Sequence, residues 1–481
     1  MDSQYRHLRF AACLAAGLCA GMAAVTVAGA AEVQSPFARQ ALAENDGWAA
    51  AEGGTRGGAD ATAEHVYLVE SRKQLVDALA AGDAAKIIQV KGTINLSSDD
   101  SGKELVEKDY ADPEYDFDKY VETYKPEVWN VQPFVKGRPP EASGPLEDAR
   151  KRSAQAQKAV VVIEVPSNTT IIGLGDDAKI VKGNLRILTG TDNVIIRNIA
   201  FSDSYDYFPE WSPRDSFSTK KGAEGCQETY VDAKTGPQMC RGGRWNSEYD
   251  LISIEGATHV WIDHCSFDDG DRPDKMHPPV FPAPHNEFEQ KVQHHDGLVD
   301  VIKGANYVTI SNSVFRDHDK AHLVGSSDKL TSDGGKLKVT FRHNHYINAM
   351  QRTPRVRYGE VHVYNSLFEG DRGRKEYPFR YAFGIGAESH LYSEANVFAL
   401  DDGATAADAV ANYRGKVFFD QGSILNGKDI NLFEAFNAEK PDKAFGAEIG
   451  WKPALYVAPP LPAAEVAAYV KANAGPGKLN D

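Results

Sequence analysis

Six stretches decide the fold: Asn193–Phe201 (NVIIRNIAF), His259–Phe267 (HVWIDHCSF), Tyr307–Phe315 (YVTISNSVF), Lys338–Tyr346 (KVTFRHNHY), Glu360–Phe368 (EVHVYNSLF) and His390–Phe398 (HLYSEANVF). Each closes on an aromatic residue. The second and fourth positions are mostly apolar, as in Val194/Ile196, Val308/Ile310 and Val361/Val363. A period of two buries one face of a strand. The sixth position often suits a turn: Asn198, Asn312 and Asn365. Asparagine tolerates left-handed backbone, and its amide is expected to stack on the next coil. The stretches start 66, 48, 31, 22 and 30 residues apart. The shortest interval fits one solenoid turn, and the longer ones fit turns with inserted loops. The pattern reads as an all-β parallel β-helix with peripheral loops and short capping helices. A sandwich of antiparallel hairpins is the alternative, but Asn-Gly and Asp-Gly turn signals are sparse.

Outward from this core, Ser71–Leu79 reads as a short helix with a Ser71/Gln74 capping box. Residues 97–157 are charged and alternate poorly, as a long surface insertion with helix around Leu146–Gln157. Leu461–Ala474 is an Ala-rich helix placed to cover the end or side of the solenoid. The expected domains are a signal peptide (1–30), a loose lead-in (31–64), a β-helix (65–402) and a C-terminal segment packed on it (403–481).

The first 30 residues carry Arg6 and Arg9, then an Ala-rich apolar run, then the small-residue site Ala28-Gly29-Ala30. A membrane anchor is the alternative, but the run is short and weakly apolar. Export follows, to a periplasm or beyond the cell, with no membrane contact after cleavage. The chain has 481 residues, 42% hydrophobic and 25% charged, with a net charge of −15. That balance excludes a disordered chain and disfavours a nucleic-acid partner. No heptad or apolar surface pattern calls for an oligomer, so a monomer is expected. Cys226 and Cys240 flank a polar segment and are a plausible disulfide in an oxidising compartment; Cys265 reads as a buried free thiol.

Two constellations carry chemistry. Asp263 precedes His264, and Asp296 and Asp300 lie in HHDGLVD (His294–Asp300). If stacking joins the three, they repel unless a cation binds, and oxygen ligands favour Ca²⁺ over Zn²⁺. Ordinary loop aspartates remain the alternative. The second constellation is basic: Lys320, then Arg352, Arg355 and Arg357 within QRTPRVRYG (Gln351–Gly359). It reads as a solvated face or as a clamp for carboxylates. His264, His294, His295 and His343 read as hydrogen-bonding partners rather than ligands.

WIDH at Trp261, HDGLVD at His295, NYVTIS at Asn306, HDK at His318, GSSD at Gly325, VTFRHN at Val339, QRTPRVRYG at Gln351 and VHVYN at Val361 together resemble the pectate lyases of the first polysaccharide lyase family. The likeness runs from about Gly47 to Phe398 and includes NTTIIGLG at Asn168, DYFPEW at Asp206 and WNSEYDLISIEG at Trp245. It implies a right-handed parallel β-helix that cleaves polygalacturonate by β-elimination. It also implies Asp263, Asp296 and Asp300 as calcium ligands, Arg352 as catalytic base, and Lys320 and Arg357 as partners of substrate carboxylates. Arg355 would be structural, pairing with a calcium aspartate. The segments Thr219–Arg244 and Lys275–Gln293 depart from the family pattern as added loops. A polygalacturonase-type hydrolase would need paired carboxylates, for which Asp268 and Asp269 are the nearest candidates. A glycan-binding β-helix would not need the basic residues in register.

Overall fold

The computed structural model describes residues 32–124, 142–220, 239–274 and 293–479, with side chains undescribed for 212–220 and 239–244. The expected signal peptide, Cys226 and nearly all of Lys275–Gln293 lie outside the described residues. Cys240 is described in its backbone only, in the strand Met239–Asn246. No helix among the described residues is long and apolar enough to cross a membrane.

The chain winds through three parallel sheets. Sheet 1 takes up the first halves of the repeated stretches, such as Thr258–Asp263, Asn306–Ser311 and Val339–Arg342. Sheet 2 takes up their ends, such as Ser266–Asp268, Val314–Lys320 and His345–Gln351. Sheet 3 holds strands the period-two pattern did not reveal: Ile252–Glu255, Val299–Ile302, Leu323–Val324 and Arg355–Val356 among them. Two of these are only two residues long, too short to show a period. The fold is a parallel β-helix, as expected.

The repeat positions have physical reasons. All six residues at the sixth position (Asn198, His264, Asn312, His343, Asn365 and Ala395) have φ between 46° and 57°, which turns the chain from sheet 1 into sheet 2. The expected amide stack does not form there. Asn312 donates to Asp263, and Asn365 to the Ala395 and Leu461 carbonyls. The ladder between coils stands one residue later: Ser313 N–H donates to Asn344 Oδ1 and Ser366 N–H to Asn396 Oδ1, both at 3.0 Å. The closing aromatics form one interior stack through Phe201, Phe267, Phe315, Tyr346, Phe368 and Phe398, with centroids 4.7–5.2 Å apart and planes within 18°. Each such pair adds about 0.5–1.5 kcal/mol beyond its buried area.

The flanking segments modify the expectations. The first helix is Arg72–Leu79, capped by Ser71, whose Oγ accepts from Gln74 N–H. Among its described residues the insertion carries three helices, the longest Pro145–Val161. The lead-in is not loose. Trp48 and Ala49 N–H donate to the hydroxyls of Thr340 and Thr309, and Asp46 pairs with Arg342 at 2.6 Å. These outward polar groups on sheet 1 need partners, and the lead-in supplies them. The solenoid does not end at 402. Strands Val410–Asn412, Phe419–Gln421 and Ser423–Leu425 add a further coil, too short to carry the repeat. The helix Ala463–Asn473 covers the side of sheet 2, where Val466 and Val470 pack on Val314, Leu367 and Val397.

Candidate active site

The corner where sheet 2 passes into sheet 3 gathers the charged residues. Lys320 ends its strand in register with Gln351 on one side and bridges Gly297 on the other. Three successive coils therefore bring Asp296-Gly297, Lys320 and Gln351-Arg352 to one place. In sheet 3, Asp300 stands opposite Ser253, and Leu323 opposite Arg355.

Asp250 joins this corner, and sequence reading missed it. Its Oδ1 accepts from Gly297 N–H at 2.9 Å and its Oδ2 from Ser253 at 2.7 Å. Asp300 accepts from Leu323 N–H at 2.9 Å. A Cβ on Gly297 would stand 2.6 Å from an Asp250 oxygen and 2.8 Å from an Asp300 oxygen, so only glycine lets the two carboxylates close in. The signal for Asp250 was register. Ile252 pairs with Val299, an offset of one coil that aligns Asp250 with Gly297.

The same register removes Asp263 from the expected trio. Asp263 lies in sheet 1 opposite Ser311, not in sheet 3 with Asp300. Its carboxylate accepts from Arg197 at 2.8 and 3.0 Å, from Ser311 at 2.7 Å and from Asn312 at 2.9 Å, and pairs with His264 at 2.7 Å. Burial opposes its charge, but His264, Arg197 and Arg342 hold the carboxyl well below the usual range. It is the anchor of a structural ion pair.

The charge of Asp296 bears on both Asp250 and Asp300. Burial and Asp296 push the Asp250 carboxyl up to about 7. Burial, Asp250 and Asp296 push Asp300 well above its ordinary value. Asp296 has the most exposed side chain of the three, at 38%, and accepts from Lys320 Nζ at 2.5 Å. Lys320 is itself buried and also donates to Gln293 at 3.3 Å. Among the described residues no three His, Cys, Asp or Glu side chains already converge as a metal ligand set, and Asp296 is bonded to Lys320. The donor chemistry still fits a hard divalent cation: hard oxygen donors, no thiolate, and repulsion that a cation would relieve.

Arg352 follows Gln351 with φ 61°, and its buried Nε has no hydrogen-bond partner among the described residues. Burial alone would lower its pKa, but Tyr381, Asp319, Asp296 and Asp300 hold it above its usual value. Arg355 is pushed down by burial and by the charges of Arg352 and Arg357, and its guanidinium lies 4.2 Å over the Tyr413 ring. Its Nε also has no partner, so the expected pairing with a calcium aspartate is not seen among the described residues. Arg357 donates to Asp328 at 2.6 Å and to the Gly325 carbonyl at 2.9 Å, farther along the same face.

The remaining candidates are structural. His264, His294, His295 and His343 all hydrogen-bond within the chain, as expected. Asp269 is taken up by His318 and Tyr377, and Asp268 by Ser202 and Gly270 N–H, so the pair is not set out as acid and base. Cys265 is buried and free. A groove of about 800 Å³ lies over sheet 2, lined by Asp269, Tyr377, Arg272, Arg316 and Arg374 among others.

A family profile described as pectate lyase matches residues 11–114 and 144–479. The chain is 44% identical over 448 residues to a pectate lyase of Bacillus subtilis (strain 168), covering 92% of this chain and 94% of that one. It is 34% identical over 472 residues to pectate lyase A of Dickeya chrysanthemi, covering 97% and 96%. A solved pectate lyase with a bound hexasaccharide superposes with a TM-score of 0.79 at 43% identity, over 93% of this chain and all of that one. A solved pectate lyase of Acidovorax avenae gives 0.79 at 34% identity, over 97% and 99%.

Proposed function

Since the chain belongs to the pectate lyase family and is thereby a polysaccharide lyase, we propose that it is a secreted, calcium-dependent enzyme cleaving α-1,4-linked polygalacturonate by β-elimination to 4,5-unsaturated oligogalacturonides. The carrying observation is one corner that places Asp250, Asp296 and Asp300 beside Lys320 and Arg352. Carboxylates without cations would repel an acidic polymer, and cations alone would not need buried carboxylates.

Asp250, Asp296 and Asp300 are the residues that would hold calcium. Bound there, calcium would offset their charge and draw a uronate carboxylate, stabilising the negative charge that develops at the reacting carbon. Lys320 is placed to bind a uronate carboxylate when it releases Asp296, and Arg357 to bind another with the donors Asp328 leaves open. Arg352 takes the proton from C5. The C5–H electrons form the C4–C5 double bond, the C4–O bond breaks, and the leaving oxygen takes a proton from solvent. Arginine is a difficult base because it is protonated at almost any pH. The carboxylates that raise its pKa add to the difficulty, so activity should rise toward alkaline pH.

The test is ultraviolet absorbance during incubation with polygalacturonate, with calcium and with chelator, for wild type and Arg352→Lys. A calcium-dependent rise in wild type, lost in the variant, is expected. New reducing ends without absorbance would mean hydrolysis and overturn the proposal. Neither signal would leave a binding role or another uronate.

A further inference from the structure

The peptide between Asp296 and Gly297 is gripped from both sides. Its N–H, on Gly297, donates to Asp250 Oδ1 at 2.9 Å. Its carbonyl, on Asp296, accepts from His318 Nε2 at 3.0 Å. His318 is fixed in turn. Its Nδ1 lies 2.6 Å from Asp269 Oδ1, and Asp269 Oδ2 accepts from Tyr377 at 2.5 Å. His318, Asp269 and Tyr377 are all buried. On the other side of the residue, Asp296 N–H donates to the Tyr249 carbonyl at 3.2 Å. With both flanking peptide planes held, the direction of the Asp296 Cα–Cβ bond is set.

We propose that His318, braced by Asp269 and Tyr377, is a positioning residue that aims the Asp296 carboxylate into the calcium site. This rests on the calcium reading above. Without His318, the Asp296 carbonyl loses this donor, and the N–H side is held by Asp250, itself one of the carboxylates that the ion would draw away. Lys320, already bonded to the Asp296 carboxylate, then competes with the ion for a side chain whose backbone is less firmly held. The strand Val314–Lys320 carries both His318 and Lys320, so one strand holds the carboxylate from behind and tethers it in front.

The two amide substitutions at His318 separate positioning from bulk stability. In His318→Gln the amide nitrogen falls near Nε2 and keeps a donor for the Asp296 carbonyl. In His318→Asn it falls near Nδ1, reaches Asp269, and loses the Asp296 contact. Calcium chloride titrated calorimetrically into the full-length protein without substrate should show affinity reduced about tenfold in His318→Asn, the usual scale for a group that orients a metal ligand. Affinity should be largely restored in His318→Gln. Should His318→Asn fail to fold, Tyr377→Phe, which removes one hydroxyl, should weaken calcium in the same direction. Equal losses in Asn and Gln that follow their melting temperatures would overturn the positioning role. So would wild-type affinity in both His318→Asn and Tyr377→Phe. Asp300→Asn is the control. If it loses calcium while His318→Asn does not, only this inference fails; if wild type binds no calcium, the calcium reading fails and takes this one with it.

Discussion

Lys320 donates to Asp296 across 2.5 Å, so one cation and one carboxylate of the site neutralise each other. Both are wanted elsewhere during the proposed reaction, the lysine by a uronate and the aspartate by a metal ion. The pair is largely desolvated on the lysine side, where only 5% of the side chain is exposed. Such a pair holds two charged groups in place at small net stability, because desolvation offsets most of the attraction.

Replacing Lys320 by Met should therefore split binding from catalysis. Calcium should bind more tightly, since Asp296 loses its competing cation. Turnover on polygalacturonate should fall by about 10²–10³, the scale for removing one donor that stabilises developing charge. Calcium calorimetry and initial rates at saturating calcium read the two effects. Weaker calcium binding in Lys320→Met would show that the lysine supports the metal site rather than competing with it.

Asp263 and Asp250 should respond in opposite ways. Asp263→Asn breaks a buried ion pair with Arg197 and should cost about 3–5 kcal/mol of stability, with calcium affinity unchanged. Asp263 carries a depressed pKa, so its contribution is present above the unfolded carboxyl value and is lost as pH falls through the folded one. Asp250→Asn removes a member of a repelling trio. Calcium affinity should collapse while the calcium-free melting temperature holds or rises. Thermal melts with and without chelator distinguish the two. Loss of calcium binding in Asp263→Asn would return that residue to the metal site.

The contrast shows what was legible in the sequence. The stretches of sheets 1 and 2 announced themselves because each buries alternate residues and ends on a ring of the interior stack. Sheet 3 did not, because strands such as Leu323–Val324 are too short to alternate. The site lies on that sheet, so the repeat pattern points to Asp263 and gives no sign of Asp250. WIDH carries an aspartate in a conspicuous stretch, whereas Asp250 stands in a plain loop. Only the coil offset separates them: Asp263 leads to Ser311, and Asp250 to Gly297. The basic residues were found because three arginines in six residues stand out in an acidic chain. Their differing partners, Asp328 for Arg357 and the Tyr413 ring for Arg355, come from distant loops.

Phe315 tests the interior stack. It is fully buried between Phe267 and Tyr346, with centroids at 4.9 and 5.1 Å, and meets His322 edge-on at 4.4 Å. Phe315→Ala should cost about 3–5 kcal/mol, and Phe315→Leu distinctly less because less cavity remains. Chemical denaturation of both variants gives the comparison. A loss under about 1 kcal/mol for alanine, far below that scale, would mean that the neighbouring coils close over the gap.

His322 makes stability depend on acid. Its Nδ1 donates to the Val299 carbonyl at 2.9 Å, and its Nε2 faces the Tyr346 hydroxyl at 3.3 Å. The rings of Phe315 and Phe341 pack around it. Burial pushes its pKa down to about 3; the Val299 contact opposes this and the nearby His318 adds to it. The unfolded chain binds this proton near pH 6.5, the folded chain only near 3. Between those values the unfolded state holds more protons, so stability falls as pH falls, by up to about 1.4 kcal/mol per pH unit from this group. His322→Gln cannot titrate. Its melting temperature should start lower at pH 7 yet decline less than wild type on moving to pH 5. Melts of both proteins across that interval decide the matter: parallel declines would assign the acid sensitivity to other groups, such as the carboxylates of the site.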